Sequence, residues 1–185
     1  MLKLTLDTNC IENEGLHQMA VEVGAELAAF SVSRNETKGS GYEVYLKYIS
    51  IIPDQSVWKD GRWADGVWGD RSWNSGPNIV YAREDGSTSL GDPFENVLGV
   101  ISNHSFPPPE ARKHLSKGQR RQFRDAMLLS LHAQHGRDIF VSRDKKAFVN
   151  EGRRELLERM LATRICTPED AIGLLSQLAR ATSSS

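Results

Sequence analysis

Two aspartates stand where burial alone would select none. Leu2-Lys3-Leu4-Thr5-Leu6 ends on Asp7, and Ile139-Phe140-Val141 leads through Ser142 and Arg143 to Asp144. Each apolar run reads as a strand buried on both faces. Side by side in one parallel sheet, the two strands bring both carboxylates to the rim beyond their carboxyl ends, where open α/β sheets bind ligands. Carboxylates gathered there repel one another unless a proton or a cation relieves them. A hard divalent ion such as Mg²⁺, which prefers oxygen ligands, is the natural relief. Asp125, close to the edge of a helix's apolar face, is a third candidate for the same rim.

Each residue also has a plainer reading. Asp7 suits a turn or helix cap completed by Thr8 and Asn9, and Asp144 suits a turn before Lys145 and Lys146. Asp125 suits a solvated helix position paired with Arg121 four residues earlier. The three plain readings together leave the common direction of these residues unaccounted for.

Other chemistries are poorly served. His132 and His135 lie three apart on a helix, but no third zinc ligand falls nearby, and His17, His104 and His114 are scattered. Cys10 and Cys166 fit no metal spacing and are expected as reduced thiols. Asp7 does not begin a D-x-D-x-T nucleophile motif, and no glycine-rich phosphate loop or dinucleotide fingerprint is present.

The elements that must position the aspartates follow from periodicity. Leu16, Met19, Ala20, Val23, Leu27 and Phe30 recur at helical spacing, which predicts a helix interrupted only by Gly24. Phe30 to Ser33 leans to strand, and Tyr42 to Ile52 fits a strand or a helix equally. Ser116 is the expected N-cap of a helix from Lys117 to about His135, stopped by Gly136. Arg153 to Ala162 reads as a helix and Arg164 to Cys166 as a short strand. Thr167-Pro168-Glu169-Asp170 opens the last helix, with Thr167 as cap and Pro168 at its first position. Strand and helix alternate, which predicts an α/β sandwich of three layers, α/β/α, around a mainly parallel sheet.

Residues 53–115 depart from this pattern. Gly, Asp, Asn, Ser and Pro dominate, and Trp58, Trp63, Trp68 and Trp73 recur every fifth residue, matching neither helix nor strand. We read this as an insertion in a single domain of 1–185, with a short strand expected at Asn78 to Tyr81 and a helix at Phe94 to Ile101. The Trp rings either anchor a loop to the body or offer a stacking surface for unpaired bases. The interleaved aspartates repel phosphate and count against the second. At 185 residues and a net charge of −1, the chain suits one soluble domain and holds no bulk charge for nucleic acid. The stretch Lys113 to Arg124 is nevertheless locally basic. No apolar run approaches membrane length, and strand residues begin at Leu2 without a leader, so the expected setting is cytoplasmic, with no membrane partner.

The order of these pieces resembles the PIN-domain family of nucleases. The likeness rests on Leu4-Thr5-Leu6-Asp7-Thr8-Asn9, on Asp125-Ala126, on Asp138 through Phe148, and on Arg164 through Asp170. It covers roughly the first fifty residues and everything from about Ser116, leaving the Trp-rich segment outside. The resemblance implies a further acidic residue after the second strand, either Glu36 or Glu43, of which Glu36 is the better exposed expectation. It implies a Mg²⁺- or Mn²⁺-dependent endoribonuclease acting on single-stranded RNA through Asp7, Glu36, Asp125 and Asp144. Asp7, Asp125 and Asp144 would bind metal, which supplies an activated water and a Lewis acid. Thr8, Asn9 and Ser142 would steady the carboxylates. Arg143, Lys145 and Lys146 would either hold the substrate backbone or be simple surface charges. Many relatives are toxins with a small antitoxin partner, and many are homodimers; the long insertion sets this chain apart from the compact toxin form. The alternative is a non-catalytic module of the same fold that binds protein or nucleic acid.

Overall fold

The computed structural model describes residues 1–30, 42–45, 48–52, 93–150 and 152–183. Glu36, the Trp repeat and the strand expected at Asn78 to Tyr81 lie outside them, as does the side chain of Glu43. Among the described residues five strands form one sheet: β1 (Lys3–Leu6), β2 (Glu26–Phe30), β3 (Ser50–Ile52), β4 (Ile139–Val141) and β5 (Arg164–Cys166). Their order is β3-β2-β1-β4-β5, and every pairing is parallel. β1 is central, with Leu4 opposite Leu27 on one side and Ile139 on the other.

Helices cover both faces. The described α-helices are α1 (Glu14–Val23), α2 (Pro93–Ile101), α3 (Lys117–Gln134), α4 (Arg153–Leu161) and α5 (Pro168–Ser183). Strand side chains alternate across the sheet, which splits the core in two. Leu4, Leu6, Leu27, Ile139 and Val141 pack against Leu16 and Ala20 of α1 and Ala171 and Leu175 of α5. Phe30, Phe140 and Ile165 point the other way, into Phe94 and Leu98 of α2, Phe123 and Met127 of α3 and Leu157 of α4. Ring pairs such as Phe94 with Phe123, 4.7 Å apart, and Phe140 with Phe148, 5.1 Å apart, meet edge to face in that second core. Burying each such side chain contributes about 1.5–3 kcal/mol.

The first helix differs from expectation. Its stripe continues through Leu27 and Phe30, yet the helix ends at Val23 because Gly24 takes a left-handed φ of 65° as the cap. Glu26–Phe30 is then strand β2, whose apolar residues are buried on both faces, so the helical spacing there was coincidental. The ambiguous stretch resolves into a 3₁₀ turn at Tyr42–Tyr45 and the short edge strand β3. The expected helix of the insertion is present as α2, and its Phe94, Val97, Leu98 and Ile101 are all core residues. At the amino end of the sheet Arg137, 6% exposed, pairs with Glu26 at 2.8 Å and donates to the Leu4 carbonyl. None of the described helices is long and apolar enough to cross a membrane.

Candidate functional site

The strand order reverses between β1 and β4, and this switch point is where doubly wound sheets open a crevice. Asp7 follows β1 and Ser142-Arg143-Asp144 follows β4. The Asp7 backbone N–H donates to the Val141 carbonyl at 2.9 Å, which fixes the two strand ends side by side. The sequence placed both residues at one rim, and they meet there.

Asp7 is 5% exposed and accepts hydrogen bonds at both oxygens. The Thr8 backbone N–H donates to Oδ1 at 2.7 Å. At Oδ2 the Asn9 amide donates at 2.9 Å and the Ser142 hydroxyl at 2.5 Å. Asn9 in turn accepts from the Arg143 backbone N–H at 3.1 Å, so it joins the two strand ends a second time. The Ser142 hydroxyl, completely buried, also accepts from the Asp144 N–H at 3.0 Å. Thr8, through its backbone, and Asn9 and Ser142, through their side chains, thus hydrogen-bond to the Asp7 carboxylate.

Asp144 has a different environment. Its Oδ1 caps the π-helical turn Lys145–Val149 by accepting from the Ala147 N–H at 2.9 Å. Its Oδ2 pairs with the Arg121 guanidinium at 2.6 Å. Arg121 was expected to serve Asp125, one turn along its own helix, and it reaches across to Asp144. Its side chain is 65% exposed, whereas that of Asp144 is 10% exposed. Asp125 itself is half-buried and lines a cleft of about 320 Å³ together with Asp144, Arg121, Lys146 and Arg153. Lys145 and Arg143 are exposed; Arg143 also donates to the Asn9 carbonyl at 3.4 Å and lies 3.8 Å from Glu169 at the start of α5.

The donor chemistry is oxygen only, which suits Mg²⁺ or Mn²⁺ in kind. The number assembled is smaller. Among the described residues no three carboxylate, imidazole or thiol groups come close enough together to hold an ion. Asp125 and Asp144 share the cleft, whereas Asp7 stands behind the Ser142 hydroxyl with its oxygens engaged. Glu36 lies outside the described residues.

Nucleophilic chemistry by cysteine finds no support beside this rim. The Cys10 thiol is completely buried and donates to Asn9 Oδ1; burial, then the nearby Asp7 carboxylate, push its pKa up to about 12, so it stays protonated. Cys166 is also free and buried. No family description, curated protein or solved structure matches the chain. Asn103 and Arg153, which line the cleft beside Asp125, were not singled out from the sequence: a helix starting at Arg153 was expected, but not that its first side chain meets the turn after α2, 50 residues earlier.

Proposed function

We propose that the protein is a nuclease that hydrolyses phosphodiester bonds of single-stranded RNA at this rim, with Mg²⁺ or Mn²⁺ as cofactor. One observation carries the reading: two strand-end aspartates share the switch point of a parallel sheet, and one of them shares a cleft with Asp125 and with cationic side chains. Asp125 and Asp144 would hold the ion from the cleft, with Asp7 behind them, joined to Asp144 through the Ser142 hydroxyl. Bound there, the ion would lower the pKa of a water and relieve charge on the phosphoryl oxygens.

The chain's own residues supply the rest. Asn9 and Ser142 orient Asp7 and tie its position to that of Asp144. Arg121 compensates Asp144 and, being exposed, would be available to a phosphate were a cation to take its place. Lys146 and Arg153 on the cleft wall hold the backbone, since phosphate contacts position a strand without reading its sequence. The acidic residue after β2, Glu36 or Glu43, completes the proposed set. The Arg121 pair also favours a second reading, a binding module without catalysis, because a guanidinium already neutralises the place a cation would fill.

Labelled single-stranded RNA incubated with the wild type, Asp125→Asn and Asp144→Asn, in Mg²⁺, Mn²⁺ or chelator, separates the two. Asp144→Asn keeps the capping acceptor for Ala147, so its fold is expected to persist. Cleavage that needs metal and drops by about 100-fold or more in both variants is the expected result. RNA binding without cleavage by the wild type in either metal would leave only the binding module.

A further inference from the structure

The cleft beside Asp144 does not stop there. Asn103, Lys146 and Arg153 belong at once to it and to a second hollow of about 410 Å³, which runs on to His104, Asn150 and Gly152. That volume lies in the usual range for sites of small ligands, about 300–1,000 Å³. The carboxylates Asp125 and Asp144 are confined to the first hollow, and the lining of the second carries cations, amides and an imidazole.

The wall between them is built, not incidental. α2 ends in two consecutive left-handed residues, Asn103 at φ 51° and His104 at φ 57°, a conformation that costs energy outside glycine. The His104 N–H donates to the Gly99 carbonyl at 2.7 Å, and its ring lies against Gly99, where an added Cβ would come 3.1 Å from Nδ1. Arg153, at the start of α4, donates to Asn103 Oδ1 at 3.0 Å and to the Lys146 carbonyl. It therefore stitches the end of α2 to the turn that Asp144 caps. Asn103 Oδ1 is engaged by Arg153, and Asn103 lines both hollows.

We propose that this second hollow holds the nucleotide adjoining the phosphate at Asp144, so that the two hollows together seat a short single strand. This rests on the reading of the rim as a site for RNA. Lys146 and Arg153 take the intervening phosphate by charge-assisted hydrogen bonds. The Asn103 amide and the His104 imidazole meet the edge of an unpaired base, which single strands expose and duplexes hide. The amide donors favour a base presenting a carbonyl acceptor at that position.

The double variant Asn103→Gly with His104→Gly removes both side chains while glycine adopts the same positive φ without strain. Anisotropy of a labelled hexanucleotide RNA in chelator reads binding apart from cleavage, and a melting curve confirms the fold. The Kd is expected to rise about tenfold, the size of losing one or two polar contacts, and in Mg²⁺ KM rises with kcat unchanged. Should the double variant fail to fold, His104→Gly alone, at an exposed residue that lines the second hollow and not the first, carries the same test with a smaller expected weakening. Unchanged affinity in a folded variant overturns the proposal even if the wild type cleaves RNA. Weakened binding in the variant of a wild type that never cleaves upholds the groove and removes only the hydrolysis.

Discussion

His132 makes the stability of this fold depend on pH in a direction that can be worked out. Its ring on α3 is completely buried, with Nδ1 2.9 Å from the Thr5 hydroxyl of β1, Nε2 against the Thr163 hydroxyl, and Phe140 edge-on at 5.6 Å. Burial first, and the nearby Arg137 second, push its pKa down from the ordinary 6.5 to about 3. The folded protein keeps this ring neutral, while the unfolded chain takes up a proton as pH falls below 6.5. Between the two values the unfolded state binds more protons, so stability rises with pH there. The contribution is complete above the unfolded value and is lost on acidification. Each unit of the window is about 1.4 kcal/mol, so lowering the pH to about 5 removes about 2 kcal/mol. Urea unfolding of the wild type and His132→Gln at near-neutral pH and at pH 5 isolates this effect, because every other ionisable group is common to the two proteins. The wild type is expected to lose about 2 kcal/mol more than the variant, or about 4–8 °C in Tm. Parallel pH profiles for the two proteins would refute a neutral buried imidazole at this position.

Two further outcomes test the rim. Ser142→Ala removes a hydroxyl that donates to the Asp7 carboxylate and accepts from the Asp144 N–H; the loss of one charge-assisted and one neutral buried bond is expected to cost about 2–4 kcal/mol, measured by chemical denaturation. Arg121→Ala breaks an ion pair whose cation is mostly exposed, so stability is expected to change by less than about 1 kcal/mol. With the guanidinium gone, Mg²⁺ titrated calorimetrically should bind more tightly than to the wild type, and an unchanged affinity would exclude competition between Arg121 and the ion.

The parallel sheet and the rim aspartates were legible because they impose strong local rules. Buried parallel strands must be apolar throughout, and a carboxylate at the end of such a run stands out. The start of α5 was equally plain, since Thr167 and Pro168 are cap and first-turn residues by their own chemistry; the Thr167 hydroxyl accepts from the Asp170 N–H at 3.2 Å. β2 was misread because Leu27 and Phe30 continue the spacing of α1, and only the positive φ of Gly24 decides that the helix has stopped. The Arg121 pair lay out of reach for a different reason. Helix spacing offers Arg121 a partner on its own helix, but the partner it takes is 23 residues away and depends on how α3 sits on β4. The wall of Asn103 and Arg153 is of the same kind, a meeting of two helix ends 50 residues apart.

Both rim aspartates serve as helix caps, but their tolerance for change differs. Asp144 gives one oxygen to a backbone N–H and the other to a mostly exposed guanidinium, so an asparagine fits with its amide turned outward. Asp7 accepts from a backbone amide at one oxygen and from Asn9 and Ser142 at the other, so an asparagine there would face donor with donor. Selection for the fold alone would therefore hold Asp7 in place while leaving Asp144 free to become asparagine. A descendant of this chain that had lost the proposed chemistry would betray it at Asp144, and an intact Asp7 would testify only to a folded protein.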